Sequence, residues 1–140
     1  MSRIFWDTNL FIYLFEKQPE FFNAAYALRT RMLERKDELV TSSMTLAEVQ
    51  VKSRKARDIP MAERYRDAIR QIARVVPFDK AAADIFAELR ATSSIKAPDA
   101  IQLSCAAAAG VELFITNDVG LHKLNVRGIH FITSLTKVPI

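Results

Sequence analysis

Arg3-Ile4-Phe5-Trp6-Asp7-Thr8-Asn9 is the stretch whose reading decides the fold. Arg3 to Trp6 reads as a short, largely apolar strand, and that strand ends on a carboxylate. In open α/β sheets ligands sit just beyond the carboxyl ends of strands, which is where Asp7 falls. Asp is also a favoured helix N-cap, and Asp7 taken alone serves that reading equally well. The pattern recurs, however. Glu112-Leu113-Phe114-Ile115 is another apolar run, and Thr116-Asn117-Asp118 closes it.

Between these two runs the chain alternates. Leu10 to Phe15 reads as a short helix ended by Gln18-Pro19, and a longer helix follows from about Glu20. That second helix carries Phe21, Ala25, Leu28 and Met32 on one stripe, with Phe22, Tyr26 and Leu33 on a second stripe beside it. Leu39-Val40-Thr41 is a brief strand. Ser42 and Ser43 can cap the helix after it, and Thr45-x-x-Glu48 has the form of a capping box. Pro60 opens a helix through Met61, Tyr65, Ile69 and Ile72. Arg74 to Phe78 reads as a third strand, and Asp79 caps a helix carrying Ala82, Ile85, Phe86 and Leu89. The most apolar helix runs from Ala100 to Ala109 and is stopped by Gly110. A short helix through Leu121-His122-Lys123-Leu124 and a strand His130-Phe131-Ile132 follow the Glu112–Ile115 strand. Strands separated by helices predict an α/β fold: a mainly parallel sheet of about five strands with helices on both faces.

Composition narrows the classes. At 140 residues the chain has the size of one domain, so residues 1–140 are expected to form a single unit. Twenty Lys and Arg against sixteen Asp and Glu leave a net charge of +4, which favours an anionic partner such as nucleic acid. The single cysteine, Cys105, excludes an internal disulfide and fits a reducing compartment. With three glycines there is no Gly-rich phosphate loop. The unbroken apolar run near the start spans only Leu10 to Phe15 and is followed by Glu16-Lys17, so neither a signal peptide nor a membrane span is expected. A cytoplasmic location follows as the expectation.

The acids carry the chemistry. Asp7 and Asp118 each follow an apolar strand, Glu48 lies in the first turns of the helix after the second strand, and Asp99 lies in the first turn of the central helix. Each has a structural use by itself: Glu48 as a capping acid or an i,i+4 partner of Lys52, Asp99 as a complement to its helix dipole. Strand ends and following helix starts share one edge of a parallel layer, so all four can meet there. Crowded carboxylates repel and raise one another's pKa values. A hard divalent cation relieves that repulsion, and oxygen-only ligands favour Mg²⁺ or Mn²⁺. Thr8, Asn9, Thr116 and Asn117 are placed to orient such carboxylates and their waters.

The ordered motifs Trp6-Asp7-Thr8-Asn9, Thr45-Leu46-Ala47-Glu48-Val49, Lys96-Ala97-Pro98-Asp99-Ala100-Ile101-Gln102-Leu103 and Ile115-Thr116-Asn117-Asp118 resemble those of the PIN-domain nucleases. Within that family the chain is similar to the VapC-type toxins of bacterial and archaeal toxin–antitoxin pairs. The resemblance runs from Ile4 to about Leu124. Carried over by position, it makes Asp7, Glu48, Asp99 and Asp118 the acidic quartet and Thr116 the hydroxyl before the last acid. It implies a ribonuclease dependent on Mg²⁺ or Mn²⁺, with a cognate antitoxin as protein partner and a homodimer as the assembly. Lys52, Arg54, Lys55 and Lys96 are then candidates for holding the RNA strand beside an acidic pocket.

Other readings compete. Asp7-Thr8-Asn9 faintly resembles a haloacid-dehalogenase-type phosphatase, but that chemistry needs a second acid where Asn9 stands. A two-histidine ribonuclease is poorly served by His122 and His130, the only histidines. A non-catalytic RNA- or protein-binding module on the same fold remains the alternative.

Overall fold

Five short strands form the frame: β1 (Arg3–Trp6), β2 (Glu38–Ser42), β3 (Arg74–Val76), β4 (Val111–Ile115) and β5 (Ile129–Thr133). The computed structural model describes all 140 residues, and in it these strands make one sheet in the order β3-β2-β1-β4-β5. Every pairing is parallel. Six helices connect them: α1 (Thr8–Phe15), α2 (Phe22–Arg35), α3 (Ser43–Lys55), α4 (Ile59–Ile72), α5 (Lys80–Thr92) and α6 (Ala97–Ala109).

The sheet is covered on both faces, which is why its central strand is apolar at successive positions rather than at alternate ones. Ile4 and Trp6 of β1 face one core, with Leu10 and Phe11 of α1, Met32 of α2, Val49 of α3 and Ile69 of α4. Phe5 faces the other, where Leu103 and Ala106 of α6 pack against Phe114 of β4. Phe5 and Phe114 are register partners, and their rings stack with centroids 4.9 Å apart. Such pairs add about 0.5–1.5 kcal/mol beyond the area they bury.

Strand order fixes where a site can form. The chain steps outward from β1 through β2 to β3, then returns across the sheet to β4 and β5 on the other side of β1. The order therefore reverses between β1 and β4, and the crevice at their carboxyl ends is the topological switch point. Asp7 follows β1 there, and Thr116 to Asp118 follow β4.

Several local expectations shift. The first helix begins at Thr8 rather than Leu10, because Asp7 caps it by accepting the Thr8 N–H at 2.8 Å. The second starts at Phe22, not Glu20. On α2 the stripe of Ala25, Leu28 and Met32 is buried, whereas Tyr26 and Leu33 of the second stripe are 61% and 60% exposed. Ser42, not Thr45, caps α3, accepting from the Met44 N–H at 3.1 Å, and Thr45 is buried. β3 ends at Val76, since Pro77 has no N–H to extend the ladder, and Phe78 is exposed. The helix expected over Leu121–Leu124 is instead a single 3₁₀ turn, Val119–Leu121, capped by Asp118. Gly110 ends α6 as expected, at φ +71°, a conformation glycine adopts without penalty.

Candidate active site

Parallel register places the site's polar groups before any side chain is considered. Trp6 pairs with Ile115 and Ile115 with Thr133, so the next residue of β1, Asp7, stands beside Thr116. The backbone continues the ladder one step, with the Asp7 N–H donating to the Ile115 carbonyl at 3.1 Å. Thr116 Oγ1 then donates to Asp7 Oδ2 at 2.7 Å, while the Thr8 N–H holds Oδ1. Thr116 is itself fixed, since its Oγ1 also accepts the Asp118 N–H at 3.1 Å. One hydroxyl thus links the acids at the ends of β1 and β4.

Glu48 comes in from α3. It lies in the second turn after the Ser42 cap, and its Oε1 accepts from Thr8 Oγ1 at 2.7 Å. It does not pair with Lys52, whose ammonium lies 3.2 Å from Glu16. Asp99 sits in the first turn of α6, held there by Pro98 at the helix start. A cavity of about 410 Å³ opens beside Asp99 and Asp118, with Lys96 and Ser94 on its polar wall and Ile95 and Leu121 on its apolar one. Asp7 and Glu48 do not line that cavity; both are part-buried.

The charges interact. Burial raises the Asp7 carboxyl above its ordinary value, the hydrogen bonds from Thr116 and the Thr8 N–H oppose that, and the charges of Glu48 and Asp118 add to the rise. Asp99 is raised by burial and then by Asp118 and Asp7, with Lys96 pulling the other way. Each of the four acids is therefore coupled to at least one other.

The remaining expected site residues divide. Thr8 and Thr116 orient acids directly. Asn9 is exposed and takes no part in these hydrogen bonds. Asn117 turns away: it accepts the Leu135 N–H at 3.0 Å and lies 3.4 Å from the Tyr13 hydroxyl. Lys96 borders the cavity, whereas Lys52, Arg54 and Lys55 occupy the last turn of α3, with Arg54 bonded to Gln50. His122 Nε2 is bonded to the Thr116 carbonyl at 2.7 Å and His130 lies on edge strand β5, so the two histidines form no catalytic pair.

One residue had no sequence argument attached to it. Gln102, 2% exposed on α6, hydrogen-bonds Thr8 Oγ1 at 3.0 Å, Thr45 Oγ1 at 2.8 Å and Ser42 Oγ. The signal was present: a lone amide three residues after Asp99 in an otherwise apolar helix lies on the same helical face as that acid.

The donor set consists of carboxylate and hydroxyl oxygens, which suits a hard dication. No three His, Cys, Asp or Glu side chains stand close enough to form a closed metal cage. Mg²⁺ commonly takes only one or two carboxylates and keeps its waters. An open site of coupled carboxylates with raised Asp7 and Asp99 fits such an ion.

A parallel sheet with an acidic pocket at its switch point defines the chain as an α/β protein with a carboxylate-lined site. The family model of the PIN domain matches residues 4–126, and the chain belongs to the PIN-domain family. Among solved structures it is similar to VapBC2 from Rickettsia felis bound to a promoter DNA fragment, at 19% identity and a TM-score of 0.74, covering 94% of this chain and 98% of that one. It is also similar to a toxin–antitoxin complex from Klebsiella pneumoniae, at 25% identity and a TM-score of 0.65, covering 90% and 94%. A third is VapC20 of Mycobacterium tuberculosis, a sarcin–ricin-loop-cleaving toxin, at 19% identity and 0.64, covering 89% and 98%. No match to a curated protein was found.

Proposed function

We propose that this chain is a metal-dependent endoribonuclease and the toxin of a toxin–antitoxin pair. The observation that carries the reading is the coupling of Asp7, Glu48, Asp99 and Asp118 around the switch point of a PIN-domain sheet. The VapBC and VapC structures it is similar to support the toxin assignment.

Asp7 and Asp99 would hold the ion, and Glu48 and Asp118 would complete or position the site. A bound Mg²⁺ or Mn²⁺ supplies Lewis acidity and an activated water for in-line attack on a phosphodiester. Thr116 and Thr8 keep Asp7 and Glu48 in place through the 2.7 Å hydrogen bonds already described. Lys96, on the wall of the cavity, meets the phosphate backbone and offsets its repulsion from the acids. Lys52, Arg54 and Lys55 extend that cationic surface along the end of α3.

Water, not the 2′-hydroxyl, is the attacking group, so the products should carry 5′-phosphate and 3′-hydroxyl ends. End-group mapping on purified protein with structured and unstructured RNAs tests this. Cyclic-phosphate ends, or full activity in EDTA, would refute the mechanism.

The partner reading rests on α2. Tyr26 and Leu33 are exposed there, and Phe22 packs against Tyr26 with ring centroids 5.8 Å apart. These side chains form an apolar surface for the antitoxin and for a homodimer contact. Tyr26→Ser should weaken antitoxin binding about tenfold or more, the loss expected when a central aromatic anchor is removed, with no change in melting temperature. Unchanged affinity, measured by calorimetry, would place the antitoxin groove elsewhere.

A further inference from the structure

Ser42 Oγ accepts the Met44 N–H as the cap of α3, so its own proton is free to go to the Gln102 carbonyl oxygen. That contact fixes which end of the amide is which. The Gln102 NH₂ must then face Thr8 and Thr45, and it meets their hydroxyls at 3.0 Å and 2.8 Å. A threonine hydroxyl has a single proton. Thr8 Oγ1, already accepting from Gln102, sends its proton to Glu48 Oε1 at 2.7 Å. Thr45 Oγ1 lies 3.2 Å from Thr8 and 2.8 Å from Thr41, and Thr41 donates to the Trp6 carbonyl at 3.0 Å. Gln102, Ser42, Thr41 and Thr45 are all buried. A buried polar network fully satisfied in this way holds one arrangement, and reversing any member leaves a donor or acceptor unpaired.

We infer that Gln102 is a positioning residue that sets the orientation of Glu48 through Thr8, and so tunes the acidic site from beneath. The inference rests on the metal-dependent nuclease reading for its consequence, not for its geometry. Gln102 touches no candidate ligand directly; the hydroxyl of Thr8 carries its effect. The network reaches three parts of the fold: the carbonyl before Asp7 at the end of β1, the cap of α3 that carries Glu48, and the face of α6 that carries Asp99. Partners of this kind, one step behind a metal's ligands, change affinity or activity about 10–100-fold when removed.

Gln102→Met keeps the side chain's length and deletes its hydrogen bonds. Mn²⁺ affinity of the folded protein by calorimetry should fall about 10–100-fold. RNA cleavage should fall through kcat, with KM unchanged. In the metal-free protein, the melting-temperature changes of Gln102→Met and Glu48→Gln should be non-additive, although the two side chains do not touch. If Gln102→Met does not fold, Thr8→Val tests the same relay, and Thr8→Ser should recover most of the Mn²⁺ affinity that Thr8→Val loses. Wild-type Mn²⁺ affinity in folded Gln102→Met, or in Thr8→Val, overturns the inference and leaves Gln102 as a core residue. A wild-type protein that binds Mn²⁺ but cleaves no RNA would refute the nuclease reading instead, and the affinity comparison would still decide the role of Gln102.

Discussion

Asp7→Asn should lose RNA cleavage by at least about 10³-fold while remaining folded. Asp7 has the most connected position among the four acids: it accepts from Thr116 and Thr8 and feels the charges of both Glu48 and Asp118. Asparagine keeps one oxygen, so the cap on the Thr8 N–H survives and α1 should still form. What disappears is the charge, together with the second oxygen that accepts the Thr116 proton. A metal ion contributes several kcal/mol of transition-state stabilisation, and each ~1.4 kcal/mol is tenfold in rate. A three-decade loss is therefore the least that removal of a principal ligand should produce. Single-turnover cleavage with Mn²⁺ in excess, beside a far-ultraviolet dichroism spectrum, measures both halves. Retained cleavage would remove Asp7 from the metal site. Retained RNA binding with no cleavage in either protein would favour a non-catalytic binding module.

The fold was readable because its determinants are local and repeated. Ile4–Trp6 and Leu113–Ile115 are apolar at successive positions, which a strand buried on both faces requires, and the helices between them carry their own caps at Asp79 and Gly110. The places where the reading slipped are those decided by tertiary contacts. Thr45 has the sequence of a capping box, yet a buried network with Thr41 and Gln102 claims its hydroxyl while Ser42 caps the helix. Glu48 stands four residues before Lys52, yet Thr8 takes the acid and Glu16 takes the lysine. No rule of helical spacing contains those partners, because they come from other strands and helices. Asn117 shows the same limit, since adjacency to Asp118 in the chain does not aim its amide at the acids. The expectation that the four acids share one edge rests, by contrast, on topology alone. The pairs it brings within reach of each other's charge are Asp7 with Glu48 and Asp118, and Asp99 with Asp118 and Asp7. The ends of neighbouring parallel strands and the starts of the helices after them share an edge whatever their side chains do.

The same crowding sets an expectation for stability, with a sign opposite to that of most substitutions. Asp7 and Asp99 have folded pKa values raised above the ordinary 3.8, Asp7 chiefly by burial and Asp99 by burial and the charges of Asp118 and Asp7. A group raised on folding binds more protons in the folded state, so its contribution to stability is present below the unfolded value and is lost as pH rises through the folded one. Metal-free protein should therefore lose stability as pH rises from about 4, and should be held back at neutral pH by its own acids. Asp99→Asn removes one charge from the group. Asp99 is only part-buried, so solvent screening keeps the gain to about 1 kcal/mol or less, a rise of a few degrees in melting temperature. Lys96, which attracts Asp99, trims it further. Added Mn²⁺ should do the reverse: at a hundred times its dissociation constant it should stabilise the wild type by about 2.7 kcal/mol and the variant by much less. Thermal unfolding of both proteins with EDTA and with Mn²⁺ at neutral pH gives four melting temperatures. The order expected, from lowest, is wild type in EDTA, Asp99→Asn in EDTA, Asp99→Asn in Mn²⁺, then wild type in Mn²⁺. If Asp99→Asn melts well below the wild type in EDTA, Asp99 serves mainly to start α6 at the positive end of its dipole, and the acidic site must be built from the other three.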